Sequence, residues 1–384
     1  MSEALRRATV MLRGPQIVTA GLVNLAHVDS LPYALGERYL DRVPALIVGA
    51  GPSLDHDIDR IPAWQALGGY VFAGSNAHGA LHKRGIRTDV AVAIEALDVT
   101  RHLRGNPRFL VVDQSCHPKI FALAAKRGPR RSAWFFGSDP RNLPHCAELG
   151  LQPLHTGGAT TTAAVSLALA WGCDPIVLVG CDLSYPCNGD AYATGAGWDG
   201  VTVRDGRYFE GREDRDAMHR AEGTAPVPRD RELVPVPAIN GGSARAPADY
   251  LGQIEWLCKL RRDSELVNAT SSGAYLQGWT HEALPETMEW LERLPRRRLR
   301  LGDPCPVADT CKSILRTEID RARSLVESMR TGGPLPEVGS PTVEALAASD
   351  TLRLKGLGWG PVERLRATYD VLEAAADRVE ALIA

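Results

Sequence analysis

Ala45-Leu-Ile-Val-Gly-Ala-Gly-Pro-Ser-Leu-Asp55 decides the fold: an apolar run meets a glycine turn and then a proline. Leu46 to Val48 predict a buried strand, Gly49 and Gly51 a tight turn, and Pro52 suits the first position of a following helix. A turn of this kind aims backbone N–H groups at an anion. Gly49, Gly51, Pro52 and Ser53 are therefore a candidate cradle for a phosphate, held at the positive end of a helix without a charged side chain. The same glycines would equally serve a strand-to-helix turn that binds nothing. Leu54 stands where the third glycine of G-x-G-x-x-G would fall, which speaks against a conventional NAD site.

Working outward, short apolar runs alternate with helical segments at Tyr70 to Ala73, Val90 to Ile94, Phe109 to Val112, Ala133 to Phe136 and Ile176 to Val179. That alternation predicts an α/β fold, a Rossmann-like and mostly parallel sheet with helices on both faces. Ligands of such sheets sit beyond the carboxyl ends of the strands. The polar groups at those ends are Gly49 to Ser53, Ser75-Asn76, Glu95, Asp113, Ser138-Asp139 and Asp182.

Three stretches differ in character from this core. Residues 1–40 read as an N-terminal helical appendage to a domain spanning 41–285. Within that domain, residues 186–245 are rich in Gly, Asp, Arg and Pro, and read as a flexible insertion too long to be an ordinary connection. Residues 286–384 carry a basic run, Arg296-Arg-Arg298 with Arg300, and apolar stripes at steps of three and four (Leu315, Ile319, Ala322, Val326; Val362, Leu365, Tyr369, Leu372). The stripes predict an α-helical C-terminal domain, whose apolar faces suit a core or a homo-oligomeric seam.

A formal net charge of −2 over 384 residues gives no global attraction to nucleic acid or to an anionic membrane. The 8 cysteines are mostly far apart; Cys181 with Cys187 and Cys305 with Cys311 do not have zinc-ligand spacing. We expect reduced thiols, no metal and a cytoplasmic protein. Met1 to Pro15 has arginines but no uninterrupted apolar core of the kind a signal or a membrane span requires.

Gly49-Ala-Gly-Pro-Ser-Leu54 resembles the glycine turn of the motility accessory factors, a family of flagellin glycosyltransferases, and of the bacterial sialyltransferases that use CMP-sugars. Thr156-Gly-Gly158, the small-residue helix Thr160 to Trp171, Pro175 to Gly180, Asp182-Leu-Ser-Tyr185 and Tyr192 resemble segments that recur in the same order in both families. Asn268-Ala-Thr-Ser-Ser-Gly-Ala-Tyr-Leu-Gln-Gly278 is similar to a motility-factor pattern. The resemblance covers roughly Arg42 to Trp279. The same domain is shared with the archaeal 6-hydroxymethyl-dihydropterin diphosphokinases, so it does not fix the reaction.

The resemblance implies roles. Asn76 matches an asparagine that contacts the nucleotide. Glu95, where the motility factors usually have Asp, would accept bonds from ribose hydroxyls. Thr156, Gly157 and Gly158 match a Thr-Ser-Gly turn that approaches base and ribose; Gly157 stands in place of the serine and brings no hydroxyl. Tyr185 and Tyr192 match a pair of hydroxyls that donate to the phosphate as it leaves. The sialyltransferase histidine base has no counterpart in Gly241-Gly-Ser-Ala-Arg245. Asp182 and His219 are the remaining candidates. The implied reaction moves a nonulosonic acid from a CMP-sugar donor, with no cofactor, to Ser or Thr of a protein acceptor such as flagellin. Alternatives are a diphosphokinase that uses ATP and Mg²⁺, and a nucleotide-binding protein without catalysis.

Overall fold

The computed structural model describes residues 27–35, 40–137, 143–221, 228–260, 264–291 and 313–320, with isolated positions at 17, 20–21, 23–25, 226 and 323–324. Ser138, Asp139, the basic run at 296–300 and the stripes beyond 324 lie outside the described residues.

Eight parallel strands form the central sheet: β1 (Ala45–Val48), β2 (Tyr70–Gly74), β3 (Val90–Ala93), β4 (Phe109–Asp113), β5 (Ser132–Phe135), β6 (Ile176–Val179), and two strands near 266–281. Before those two come β7 (Gly189–Asp190), β8 (Thr202–Arg204), β9 (Tyr208–Glu210), β10 (Val234–Pro237) and β11 (Ser243–Ala246), so they are β12 (Leu266–Asn268) and β13 (Thr280–His281). The order across the sheet is β13-β12-β6-β1-β2-β3-β4-β5. It reverses between β1 and β6, the switch point where ligands of open α/β sheets bind.

The helices are α1 (Leu54–Asp57), α2 (Ile61–Ala66), α3 (Ser75–Lys83), α4 (Pro118–Arg127), α5 (Leu143–Glu148), α6 (Thr160–Ala170), α7 (Glu213–Ala221), α8 (Ala248–Cys258) and α9 (Leu284–Leu291). Residues 313–320 are also helical. Alternate strand residues enter different cores. Ala45, Ile47, Phe72, Ile176 and Leu178 join Ala164, Val165 and Leu167 of α6 on one face. Leu46, Val48, Val71, Val177 and Val179 join Leu54, Trp64 and Leu81 on the other. Burial on both faces explains why these strands read as continuous apolar runs.

The sheet edge at β5 is covered by the N-terminal stretch, where Tyr33 bridges Trp134 and Ala34 N–H donates to Trp134 O (2.8 Å). Segment 186–245 contains the antiparallel sheet β7–β9, the hairpin β10–β11 and helix α7 between them. Val201, Val203, Phe209 and Leu233 close with Tyr185 and Ala191 into a small core of their own. Strands this short leave no readable alternation, so the sequence shows only a polar, glycine-rich stretch.

At the switch point the ends of β1 and β6 touch. A Cβ at Gly49 would collide with the carbonyl oxygen of Gly180 and lie 2.7 Å from its carbon. One at Gly51 would collide with the Asp182 carboxylate. The protein's own packing therefore requires both glycines, whatever the site binds. Asp182 accepts from Ser53 N–H (3.1 Å) and from Ser53 Oγ, and its backbone oxygen accepts from Ala274 N–H (2.8 Å). The motif at 268–278 thus braces Asp182, which in turn holds the glycine turn.

Burial pushes the Asp182 carboxyl up to about 6, although the two bonds from Ser53 work the other way. The folded state then holds the proton more tightly than the unfolded chain. Stability at this site is fully present below about pH 4 and is lost as pH rises through about 6. Asp182→Asn, which can keep both contacts to Ser53, should abolish that loss. Between about pH 4 and about pH 7, urea denaturation should show wild type losing on the order of 2–3 kcal/mol relative to the variant. Gly49→Ala should cost about 1–3 kcal/mol at any pH through overpacking, read from the same denaturation curves.

Candidate functional site

A cavity of about 290 Å³ opens over the switch point. Its floor includes Gly49 to Gly51 after β1 and Gly180 to Tyr185 after β6, and Asn76 and Glu95 line one wall. Segment 186–245 and the start of α8 roof it with Tyr192, Trp198, Arg215 and Tyr250. The sheet order brings the strand ends together, and the small core of the insertion holds the roof over them.

The glycine turn does not present its N–H groups as the sequence suggested. Gly49 N–H donates to Val179 O (2.8 Å), Gly51 N–H to Gly180 O (2.8 Å) and Ser53 N–H to Asp182. Asp182 itself occupies the place of an anion at the start of α1. Pro52 and Ser53 do not line the cavity, whereas Gly49, Gly51 and Asp182 do. Leu183, beside Asp182 in the wall, holds a left-handed φ of 48°.

The second glycine turn is also displaced from its expected place. Thr156, Gly157 and Gly158 lie outside the lining, which passes instead through Ala159, Thr160 and Thr161. Gly157 has a φ of 60°, and a Cβ there would stand 2.8 Å from Thr162 Cβ and from Trp256 Cδ2. Glycine rather than serine at 157 is explained by that packing. Thr160 and Thr161 belong to the first turn of α6, an 11-residue helix.

Glu95 accepts from Thr160 Oγ1 (3.1 Å) and from Ser75 Oγ, and its other oxygen accepts from Ile94 N–H (3.0 Å). Asn76 Oδ1 accepts from Trp198 N–H (2.9 Å), which fixes the orientation of the amide. The NH₂ group is left to offer a ligand. By contrast Asp113, another strand-end acid, caps its own turn through Ser115 N–H (2.7 Å) and Oγ (2.6 Å) and is not in the lining.

Tyr185 and Tyr192 come together as the sequence suggested, their hydroxyls 3.4 Å apart. Tyr250 joins them, 2.8 Å from Tyr185 Oη. Burial pushes the Tyr185 and Tyr250 hydroxyls well above the ordinary tyrosine range, so both stay protonated as potential donors. Arg215 Nη1 donates to Tyr192 Oη (3.3 Å), and its guanidinium carbon lies 5.2 Å from the Trp198 ring centre. His219, the other candidate base, is fully buried in α7 and is not in the lining.

Sequence reading missed Arg215, Trp198, Tyr250 and Gln253, all of which line the cavity. Arg212-Glu-Asp-Arg215 reads as a solvated charge run, and Tyr250 as one more position on an amphipathic helix. Only the closure of the insertion on the sheet turns them inward.

Residues 20–188 match the family described as 6-hydroxymethylpterin diphosphokinase MptE-like. No curated protein matches the sequence. Among solved structures, 96% of the chain aligns with a MAf glycosyltransferase from Magnetospirillum magneticum AMB-1, at a TM-score of 0.50 and 15% identity. The chain spans 58% of the length of that protein. Over residues 20–188 the chain matches the MptE-like family, and as a whole it shares the fold of a MAf glycosyltransferase, which bears out the resemblance to motility accessory factors read from its sequence.

Proposed function

We propose that the protein is a glycosyltransferase that moves a nonulosonic acid from a CMP donor to a Ser or Thr hydroxyl of a protein acceptor, with inversion. The observation that carries this reading is the bonded group of Tyr185, Tyr192 and Tyr250 hydroxyls in the lining of the switch-point cavity. Neutral donors suit a leaving group with a single phosphate, because their bonds strengthen as negative charge develops on it. The fold shared with a MAf glycosyltransferase supports the same reaction class.

In this reading Glu95 takes bonds from the ribose hydroxyls and the Asn76 amide donates to the nucleotide. The acceptor oxygen bonds to the anomeric carbon as the bond from that carbon to the phosphate oxygen breaks. The electron pair leaves with CMP. Asp182, with its carboxyl near 6, takes the acceptor proton. Flagellin fits as acceptor through the family resemblance, and such an acceptor would be met in the cytoplasm. Among the described residues no helix is long and apolar enough to cross a membrane.

The MptE-like match favours a second reading, diphosphoryl transfer from ATP. Metal dependence separates the two, since that transfer concentrates charge that Mg²⁺ offsets. With a CMP-nonulosonate donor, turnover should survive EDTA. Activity that is lost with chelator and restored by Mg²⁺ and ATP would put the diphosphokinase first. Absence of donor hydrolysis or transfer, with nucleotide binding intact, would leave a protein without catalysis.

Tyr192→Phe removes one hydroxyl and little volume. It should lower turnover roughly ten- to a hundredfold while changing donor affinity far less, as expected for a donor engaged mainly in the transition state. Steady-state kinetics on the two forms check this. Unchanged kcat would remove the tyrosines from the chemistry.

A further inference from the structure

Helix α7 and the residue before it carry five charged side chains in succession, Arg212 to Asp216. Four of them are matched. Glu213 pairs with Arg229 (3.3 Å), Asp214 with Arg101 (3.4 Å), and Asp216 with Arg229 (2.9 Å) and Arg212 (3.4 Å). Arg215 alone turns inward to the cavity. Among the described residues it has no carboxylate partner, its one hydrogen bond goes to the neutral Tyr192 hydroxyl, and its Nε is sealed from solvent without an acceptor.

A guanidinium keeps its charge at any working pH, and its burial is costly unless it is paired. Trp198 offers a ring face at 5.2 Å, which offsets only part of that cost. Arg101, paired with Asp214, lies on the same ring, also at 5.2 Å. The two carboxylates that line the cavity, Glu95 and Asp182, are both engaged by hydroxyls from Ser75, Thr160 and Ser53. The cavity thus sets a cation without a carboxylate partner beside hydroxyl donors, an arrangement suited to an anionic ligand.

We infer that Arg215, with Tyr192, forms an anion subsite that takes the phosphate of a nucleoside monophosphate unit. This rests on the nucleotide reading above and adds the charged group that the sequence did not reveal. Arg215 supplies a fixed charge, and Tyr192 a neutral donor that the guanidinium polarises. Two donors on one phosphate give it both strength and direction.

The test is direct binding of CMP, cytidine, AMP and adenosine to the full chain by calorimetry. Wild type should bind CMP at least about tenfold more tightly than cytidine, the usual gain from charge-assisted hydrogen bonds to a phosphate. Arg215→Met keeps the length and packing of the side chain and should bring the two ligands within about threefold, with cytidine affinity unchanged. Arg215→Lys, which keeps the charge without the planar fork, should fall between them. If Met at 215 prevents folding, judged by thermal melting, Arg215→Gln takes its place. A folded variant without the guanidinium that still prefers CMP over cytidine as wild type does would overturn the subsite. Were wild type to show an Arg215-dependent preference for AMP over adenosine and none for CMP over cytidine, the subsite would stand and the CMP donor would fall. Equal binding of each nucleotide and its nucleoside by wild type would overturn the subsite outright.

Discussion

The clasp between Asp182 and Ser53 is the contact on which the rest of the site depends. It ties the turn after β1 to the end of β6, where the strand order reverses. Because the two backbones meet there, positions 49 and 51 have no room for a side chain. The carboxylate takes the Ser53 N–H at the start of a four-residue helix, a place a ligand anion would otherwise fill. A helix this short has little dipole to offer, and its leading N–H is already used. The glycine turn is therefore floor, and recognition of an anion has to come from elsewhere in the cavity.

That elsewhere is the roof, and it is chemically unlike the floor. Below lie strand-end backbone, Glu95 and Asp182, a surface of acceptors suited to hydroxyl groups. Above lie hydroxyls and a guanidinium, a surface of donors suited to negative charge. A ligand that carries hydroxyls at one end and an anion at the other would be oriented by that polarity alone. The insertion can hold these groups because it has its own apolar core around Phe209 and Val203, against which the tyrosine rings pack.

Residues that form long regular elements were legible in the sequence, and residues placed by tertiary closure were not. Strands β1 to β6 are buried on both faces, so their apolar runs stood out, and the parallel α/β arrangement followed from their alternation with helices. Asp182 was read from its place at a strand end, Tyr185 and Tyr192 through the resemblance, and the structure brings the three to one cavity. The contact that excludes a side chain at Gly51 could not be read from the sequence, because its neighbour in space, Asp182, is 131 residues away. Arg215 was hidden for a related reason. Its run of alternating charge has no periodic signal, and only the pairing of its neighbours with Arg101 and Arg229 leaves it alone facing inward.

The match to the MptE-like family ends at residue 188, and that boundary separates floor from roof. Gly49, Asn76, Glu95, Asp182 and Tyr185 fall inside it; Tyr192, Trp198, Arg215 and Tyr250 fall beyond it. A shared floor does not by itself say which reaction is carried out above it. That choice belongs to whatever stabilises charge as the leaving group departs. Here most of those groups come from the segment that follows the match: Tyr192, Tyr250 and one guanidinium without a carboxylate partner join Tyr185, which lies within it. One fixed cation with neutral donors is proportioned to a single phosphate. On the proposed reading, a departing nucleoside monophosphate would put its new charge where such a roof can meet it.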